Sequence, residues 1–124
     1  MKKSIIILSL AASLAGCATA PPEQPHDICK IFEEKPDWYY DARDAQEKWG
    51  SPKHVLMSMM YQESSFRHDA APPMEYFLWV IPIGRASSAY GYSQAKTPTW
   101  SDYIRETGNS GADRDDFDDA IDFM

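Results

Sequence analysis

The chain has 124 residues, with 12 Lys and Arg against 19 Asp and Glu and a formal charge of −7. That balance argues against a nucleic-acid binder, which must neutralise phosphates. The length suffices for one small domain and is too short for two.

The opening residues Met1-Lys2-Lys3-Ser4 and the apolar run from Ile5 to Ala12 have the charged start and short hydrophobic stretch of a secretory signal. The run falls short of the roughly 20 residues a membrane helix needs. It ends at Leu14-Ala15-Gly16-Cys17, which resembles the lipobox that the bacterial lipoprotein pathway cuts and lipidates. The resemblance implies that residues 1–16 are a signal peptide, that Cys17 carries lipid, and that the mature protein is anchored in the bacterial envelope. Ala18, where an Asp would retain the protein, favours the outer membrane, facing the periplasm. From Cys17 onward ten basic residues face nineteen acidic ones, a charge of −9. Residues 17–26, with Pro21, Pro22 and Pro25, form an extended tether, and residues 27–124 the domain. With Cys17 lipidated, Cys29 is left alone, to be buried, paired between chains or matched by a partner outside this sequence.

The spacing of Trp38, Ala42, Ala45 and Trp49 predicts a helix over Asp37–Trp49, capped by Asp37 and stopped by Gly50. Ser51 and Pro52 open a second helix reaching about Ser65, with Val55, Leu56, Met59 and Met60 on one face. From Asp69 to Tyr90 the helical period is lost, Pro72, Pro73, Pro82 and Gly84 intervene, and Tyr76–Ile81 reads as extended. This predicts a long irregular loop with a short hairpin or strand. Thr97-Pro98 starts a third helix ending near Gly108. A fourth begins around Asp113 and is still periodic at Met124, as in a domain truncated at its C-terminus. The acidic run Asp113–Asp122 lacks the glycine and glutamate of a calcium loop and reads as a solvated helix start. His26, His54 and His68 are scattered, and no metal or other cofactor is called for.

Glu63 follows Met59 and Met60 by four and three residues, so it is predicted to continue the apolar face of the second helix. Burial and the helix C-terminus both disfavour its charged form, and a carboxyl kept protonated near neutral pH is what a general acid needs. A bland alternative pairs it with Arg67, four residues on.

The segment Gln62-Glu63-Ser64-Ser65-Phe66-Arg67, followed by Ser88-Ala89-Tyr90-Gly91-Tyr92-Ser93-Gln94 and Thr97-Pro98-Thr99-Trp100, resembles the soluble lytic transglycosylase (SLT) family of the lysozyme superfamily. That family carries a helix ending in Glu-Ser-x-Phe and a second motif of the type Gly-Leu-Met-Gln before a Thr-Trp. Glu63, Ser64 and Phe66 match the first, and Gly91, Gln94, Thr99 and Trp100 the second, while Tyr92 and Ser93 replace the usual Leu and Met. The loop between the motifs is longer than the family's usual connection, and the family's later region, with a further helix and a groove tyrosine, has no counterpart before Met124.

The resemblance implies a mainly α, lysozyme-like (α+β) domain that binds peptidoglycan glycan strands, with Glu63 as catalytic acid. Ser64, Tyr90, Gly91, Tyr92 and Gln94 would line the groove. Gly91 would let a sugar approach the backbone, Gln94 would bond an acetamide, and Tyr90 and Tyr92 would offer flat faces to pyranose rings. Ordinary core is the competing reading for Trp79, Tyr90, Tyr92 and above all Trp100, and a hydroxyl bonded to its own helix backbone for Ser64. Between the motifs the acids are Asp69 and Glu75, neither in a recognisable motif, so one carboxylate acting alone is favoured over the usual pair. The rival readings are a lysozyme-type hydrolase using Asp69 or Glu75, a catalytically silent peptidoglycan-binding lipoprotein, and an inhibitor or partner-binding lipoprotein that borrows the fold.

Overall fold

The computed structural model describes residues 20–124. The expected signal peptide, residues 1–16, and the expected lipidation site Cys17 lie outside the described residues.

The first element has no counterpart in the predicted series. Helix α1 (Ile28–Glu34) is capped by Asp27, whose carboxylate accepts the backbone N–H groups of Cys29 and Lys30. It buries Ile31 and leaves Cys29 exposed, which removes the buried alternative for that thiol. Helix α2 (Pro36–Trp49) starts one residue early because Pro36 fits the first turn, so Asp37 lies inside the helix and is not its cap. Trp38, Ala42 and Ala45 face the core as their spacing requires, whereas Trp49 is half exposed. Gly50, left-handed at φ 79°, ends the helix.

Helix α3 (Lys53–Ser64) has no side-chain cap from Ser51. The Lys53 N–H is instead accepted by the Gln46 side chain of α2 at 2.8 Å. Its buried stripe is Leu56, Met57, Met60 and Ser64, with Val55 and Met59 exposed. The helix is therefore rotated by about one position, some 100°, from the predicted face. That rotation carries Glu63 off the buried side.

The extended run divides into strand β1 (Met74–Phe77), a tip, and strand β2 (Ile81–Arg85), paired antiparallel with an irregularity between Glu75 and Tyr76. Leu78 and Trp79 at the tip are both left-handed, and the Val80 N–H returns to the Phe77 carbonyl at 3.3 Å. Helix α4 (Thr97–Thr107) carries Pro98 in its first turn and ends on left-handed Gly108. Helix α5 (Phe117–Phe123) begins later than the predicted Asp113, because the Asp116 carboxylate caps it by accepting from Asp118 and Asp119 N–H.

The core joins α2 to α5. Trp38 stacks flat on Phe117, ring centroids 3.9 Å apart, and Phe66 and Tyr92 close around the pair. Ala42 and Ala120, both fully buried, let the two helices approach. A second cluster gathers Trp100, Tyr103 and Phe123 between α4 and α5. Asp122 ties three helices, accepting from Lys48 Nζ at 2.7 Å, Trp49 Nε1 at 3.0 Å and Tyr103 Oη at 2.7 Å. The described part is thus mainly helical with one small antiparallel hairpin. No helix among the described residues is long and apolar enough to cross a membrane.

Candidate active site

Glu63 occupies the last turn of α3 with its side chain exposed, so the predicted burial is absent. Arg67 does not pair with it, reaching Asp69 instead at 3.8 Å. Among the described residues Glu63 has neither a hydrogen-bond nor an ion-pair partner.

The turn immediately after Glu63 is tightly held. Ser65 and Phe66 are both left-handed, φ 52° and 59°, a conformation that costs a non-glycine residue roughly 1–2 kcal/mol. The turn drives Phe66 into the core, where it is 1% exposed against Trp38 and Tyr61, and burying a Phe side chain contributes about 1.5–3 kcal/mol. Ser64 is buried too, and its hydroxyl donates back to the Met60 carbonyl at 3.2 Å. That bond within the helix corrects the groove role predicted for Ser64.

The second motif meets this exit at one atom. The Ala70 carbonyl accepts the Gly91 N–H at 2.9 Å and the Gln94 Nε2 at 2.7 Å, although residues 71–90 intervene in the chain. Gln94 Nε2 also donates to the Gly91 carbonyl at 3.0 Å. Two carbonyls around the amide fix which end is nitrogen, and the Gln94 carboxamide oxygen is the atom left for a ligand. Gly91 is left-handed at φ 80°, and a Cβ there would lie 1.9 Å from the Arg114 carbonyl oxygen. Its freedom therefore serves contact with the protein's own backbone, which corrects the predicted approach of a sugar.

A family model for the transglycosylase SLT domain matches residues 5–124. The chain belongs to that family. Its members are lytic transglycosylases of lysozyme-like fold, and they bind peptidoglycan glycan strands. No curated protein and no solved structure matches the chain.

The departures of this SLT domain from the usual second motif fall on buried positions. Tyr92, 2% exposed, makes edge contacts with Trp38 and Phe117, and burial, with the charges of Asp116 and Asp115, pushes its phenol up to about 12. It is core, which corrects its prediction as a sugar platform. Ser93 is buried with its hydroxyl unpartnered. Tyr90 is half buried, with the Arg114 guanidinium 5.4 Å from its ring centroid and its hydroxyl 3.5 Å from Asp115. One ring face is thus already taken. Trp100 is core, whereas Trp79 is 94% exposed and not core at all.

Arg114 is the structural residue that sequence reasoning passed over. Its Nη1 donates to the Ser88 and Ala95 carbonyls, both at 2.9 Å, and its own carbonyl accepts the Tyr92 N–H at 3.1 Å. It clamps both ends of the second motif. The only signal for it in the sequence is a lone cation inside an acidic run.

Among the described residues no cluster of His, Cys, Asp and Glu is arranged to hold a metal. His26 Nε2 lies 3.3 Å from the Tyr61 hydroxyl, and with His54 it borders a cavity of about 370 Å³. A larger cavity, about 600 Å³, opens between α2 and α5 with Trp38, Asp41, Tyr92 and Asp116 in its wall and Glu63 outside it. Burial, reinforced by Asp118, Asp37 and Asp116, pushes the Asp41 carboxyl up to about 6.

Proposed function

We propose that this SLT domain cleaves the β-1,4 bond between N-acetylmuramic acid and N-acetylglucosamine, with Glu63 acting first as acid and then as base. The observation that carries the proposal is the joining of the two motifs at the Ala70 carbonyl, beside the helix end that bears Glu63. Glu63 protonates the glycosidic oxygen, and the bond from the muramyl C1 to that oxygen breaks. The resulting carboxylate takes the proton of the muramyl 6-hydroxyl, whose oxygen closes on C1 as a 1,6-anhydro ring. Water is not consumed, and the carboxyl ends protonated as it began. A strand laid over the exposed Glu63 supplies the water exclusion that the free protein does not.

Asp69 is engaged with Arg67, and Glu75 sits on the exposed strand β1, so neither is favoured as a second catalytic carboxylate. The further parts of the proposal are lipidation at Cys17 and anchoring in the outer membrane, which rest on Leu14-Ala15-Gly16-Cys17. Glu63→Gln keeps the shape and removes the proton. Turnover of purified peptidoglycan should fall at least ~100-fold while sacculus binding stays near the parent's. The parent's products should be anhydromuropeptides, one water lighter than a lysozyme's. Reducing-end products dependent on Asp69 or Glu75 would make the protein a hydrolase, strand binding without turnover would make it a silent binder, and full turnover by Glu63→Gln would overturn the assignment.

A further inference from the structure

Among the described residues, the hairpin of β1 and β2 is an element whose large apolar side chains are all exposed. From Tyr76 to Gly84 the sequence Tyr-Phe-Leu-Trp-Val-Ile-Pro-Ile-Gly contains no charge, and Glu75 and Arg85 bracket it at the base. Trp79 at the tip is 94% exposed, Val80 74% and Leu78 68%. Exposed apolar surface of this kind marks a contact.

The shape of the exposure selects the partner. Neighbouring residues on a strand point to opposite faces, so Tyr76 and Phe77, each more than half exposed, present an aromatic ring on either side of the hairpin. A protein surface or a second copy laid on one face leaves the other ring and much of the tip in water. A medium that surrounds the tip covers both faces at once. We propose that the tip Phe77–Ile81 inserts into the interfacial layer of a phospholipid bilayer.

Several features fit that depth. In a two-stranded sheet both outer edges leave backbone groups unpaired, which forbids deep insertion but is tolerated where headgroups and water reach. Pro82 removes one of those edge donors. Trp and Tyr favour the interface, where ring and polar atom meet different media. The charge of −9 from Cys17 onward directs the hairpin to zwitterionic rather than anionic lipid. Of the segment 17–26 read as a tether, Pro22 is buried, the Glu23 N–H donates to Glu34 and His26 meets the Tyr61 ring, which corrects its extended reading there. At most residues 17–21, about 18 Å, are left to extend, so lipidation at Cys17, which rests on the proposed function, would keep the domain beside a bilayer. The hairpin argument stands without it.

The test uses the full chain, reconstituted with zwitterionic vesicles whose acyl chains are brominated at a shallow position. Subtracting the emission of Trp79→Phe from that of the parent isolates Trp79 among the four tryptophans. The Trp79 signal should shift to the blue and be quenched by the brominated lipid, and both effects should be lost in Leu78→Asp with melting unchanged. Adding anionic lipid should weaken the quenching. Flotation of Cys17→Ala reports the anchor separately, so a failed anchor and a failed insertion give different results. Trp79 quenched only by aqueous acrylamide in vesicle-bound protein would overturn the proposal. So would Leu78→Asp that leaves lipid quenching intact but impairs sacculus binding or dissociates a dimer, since the tip would then serve glycan or a second copy.

Discussion

The aromatic cluster between α2 and α5 and the hairpin of β1 and β2 are built from the same residue types and meet opposite fates. Trp38 is 6% exposed and fixed on three rings, whereas Trp79 is 94% exposed. Aromatic content alone says that a segment must be covered. The covering agent is set by whether a second apolar face of the same chain stands opposite, as Phe117 does for Trp38 and nothing described does for Trp79.

Four substitutions put that contrast at risk. The largest stability change should come from Trp38→Ala, which opens a cavity between Phe66, Tyr92 and Phe117. A loss of about 3–5 kcal/mol is expected in denaturant unfolding, a large share of what a small domain has. Asp122→Asn should rank next. Asp122 is partly exposed, and discounting for solvent leaves about 1–2 kcal/mol for its charge-assisted bonds. Burial pushes the Asp122 carboxyl upward, but the bonds from Lys48, Tyr103 and Trp49 outweigh it and hold the group below its ordinary range. Its stabilisation is therefore present above the unfolded value near 3.8 and lost as pH falls through the lower folded one, so the gap between parent and variant should close in acid.

Asp41→Asn should have the opposite sign. A carboxyl raised from 3.8 to about 6 holds its proton more tightly in the folded state, so it favours folding most below about 4 and loses that advantage as pH rises to 6. The variant should melt higher than the parent at pH 7, with the difference shrinking on acidification. Trp79→Ala should be the smallest, within about 0.5 kcal/mol, because an exposed side chain leaves no cavity. A large loss there would mean that the hairpin is covered by its own chain and that the two regions are not different in kind.

Much of the frame was legible where one residue carries a local backbone consequence. Gly50 and Gly108 end helices because they accept a left-handed cap, and Pro98 sits in a first turn, whereas Pro36, expected to precede its helix, opens it. The break between Asp69 and Tyr90 was legible from its prolines and extended run as a long loop with a short hairpin or strand, and the structure makes it a hairpin. Helix α1 was missed because seven residues are too few for a periodic pattern, although Asp27 is an ordinary cap. The face of α3 was misplaced because Met57, Met59 and Met60 offer apolar side chains in more than one direction. Packing against Trp38 and Ile121 decides which are buried, and that is tertiary information. At the site, Glu63 and Gln94 were legible as a motif, but the roles of Gly91, Tyr92 and Arg114 were not. Each answers to a contact between residues far apart in the chain, the Arg114 carbonyl above all.

The bond from the Gly91 N–H to the Ala70 carbonyl closes the excursion of residues 71–90 on itself. That segment leaves the domain and returns to it at hydrogen-bond distance, so its two ends coincide. A loop with coincident ends can be lengthened, shortened or re-composed at an entropic cost that grows only as the logarithm of its length, without displacing the helix end that carries Glu63. The chemistry and the hairpin can therefore vary independently, one held constant while the other is refitted to a different surface.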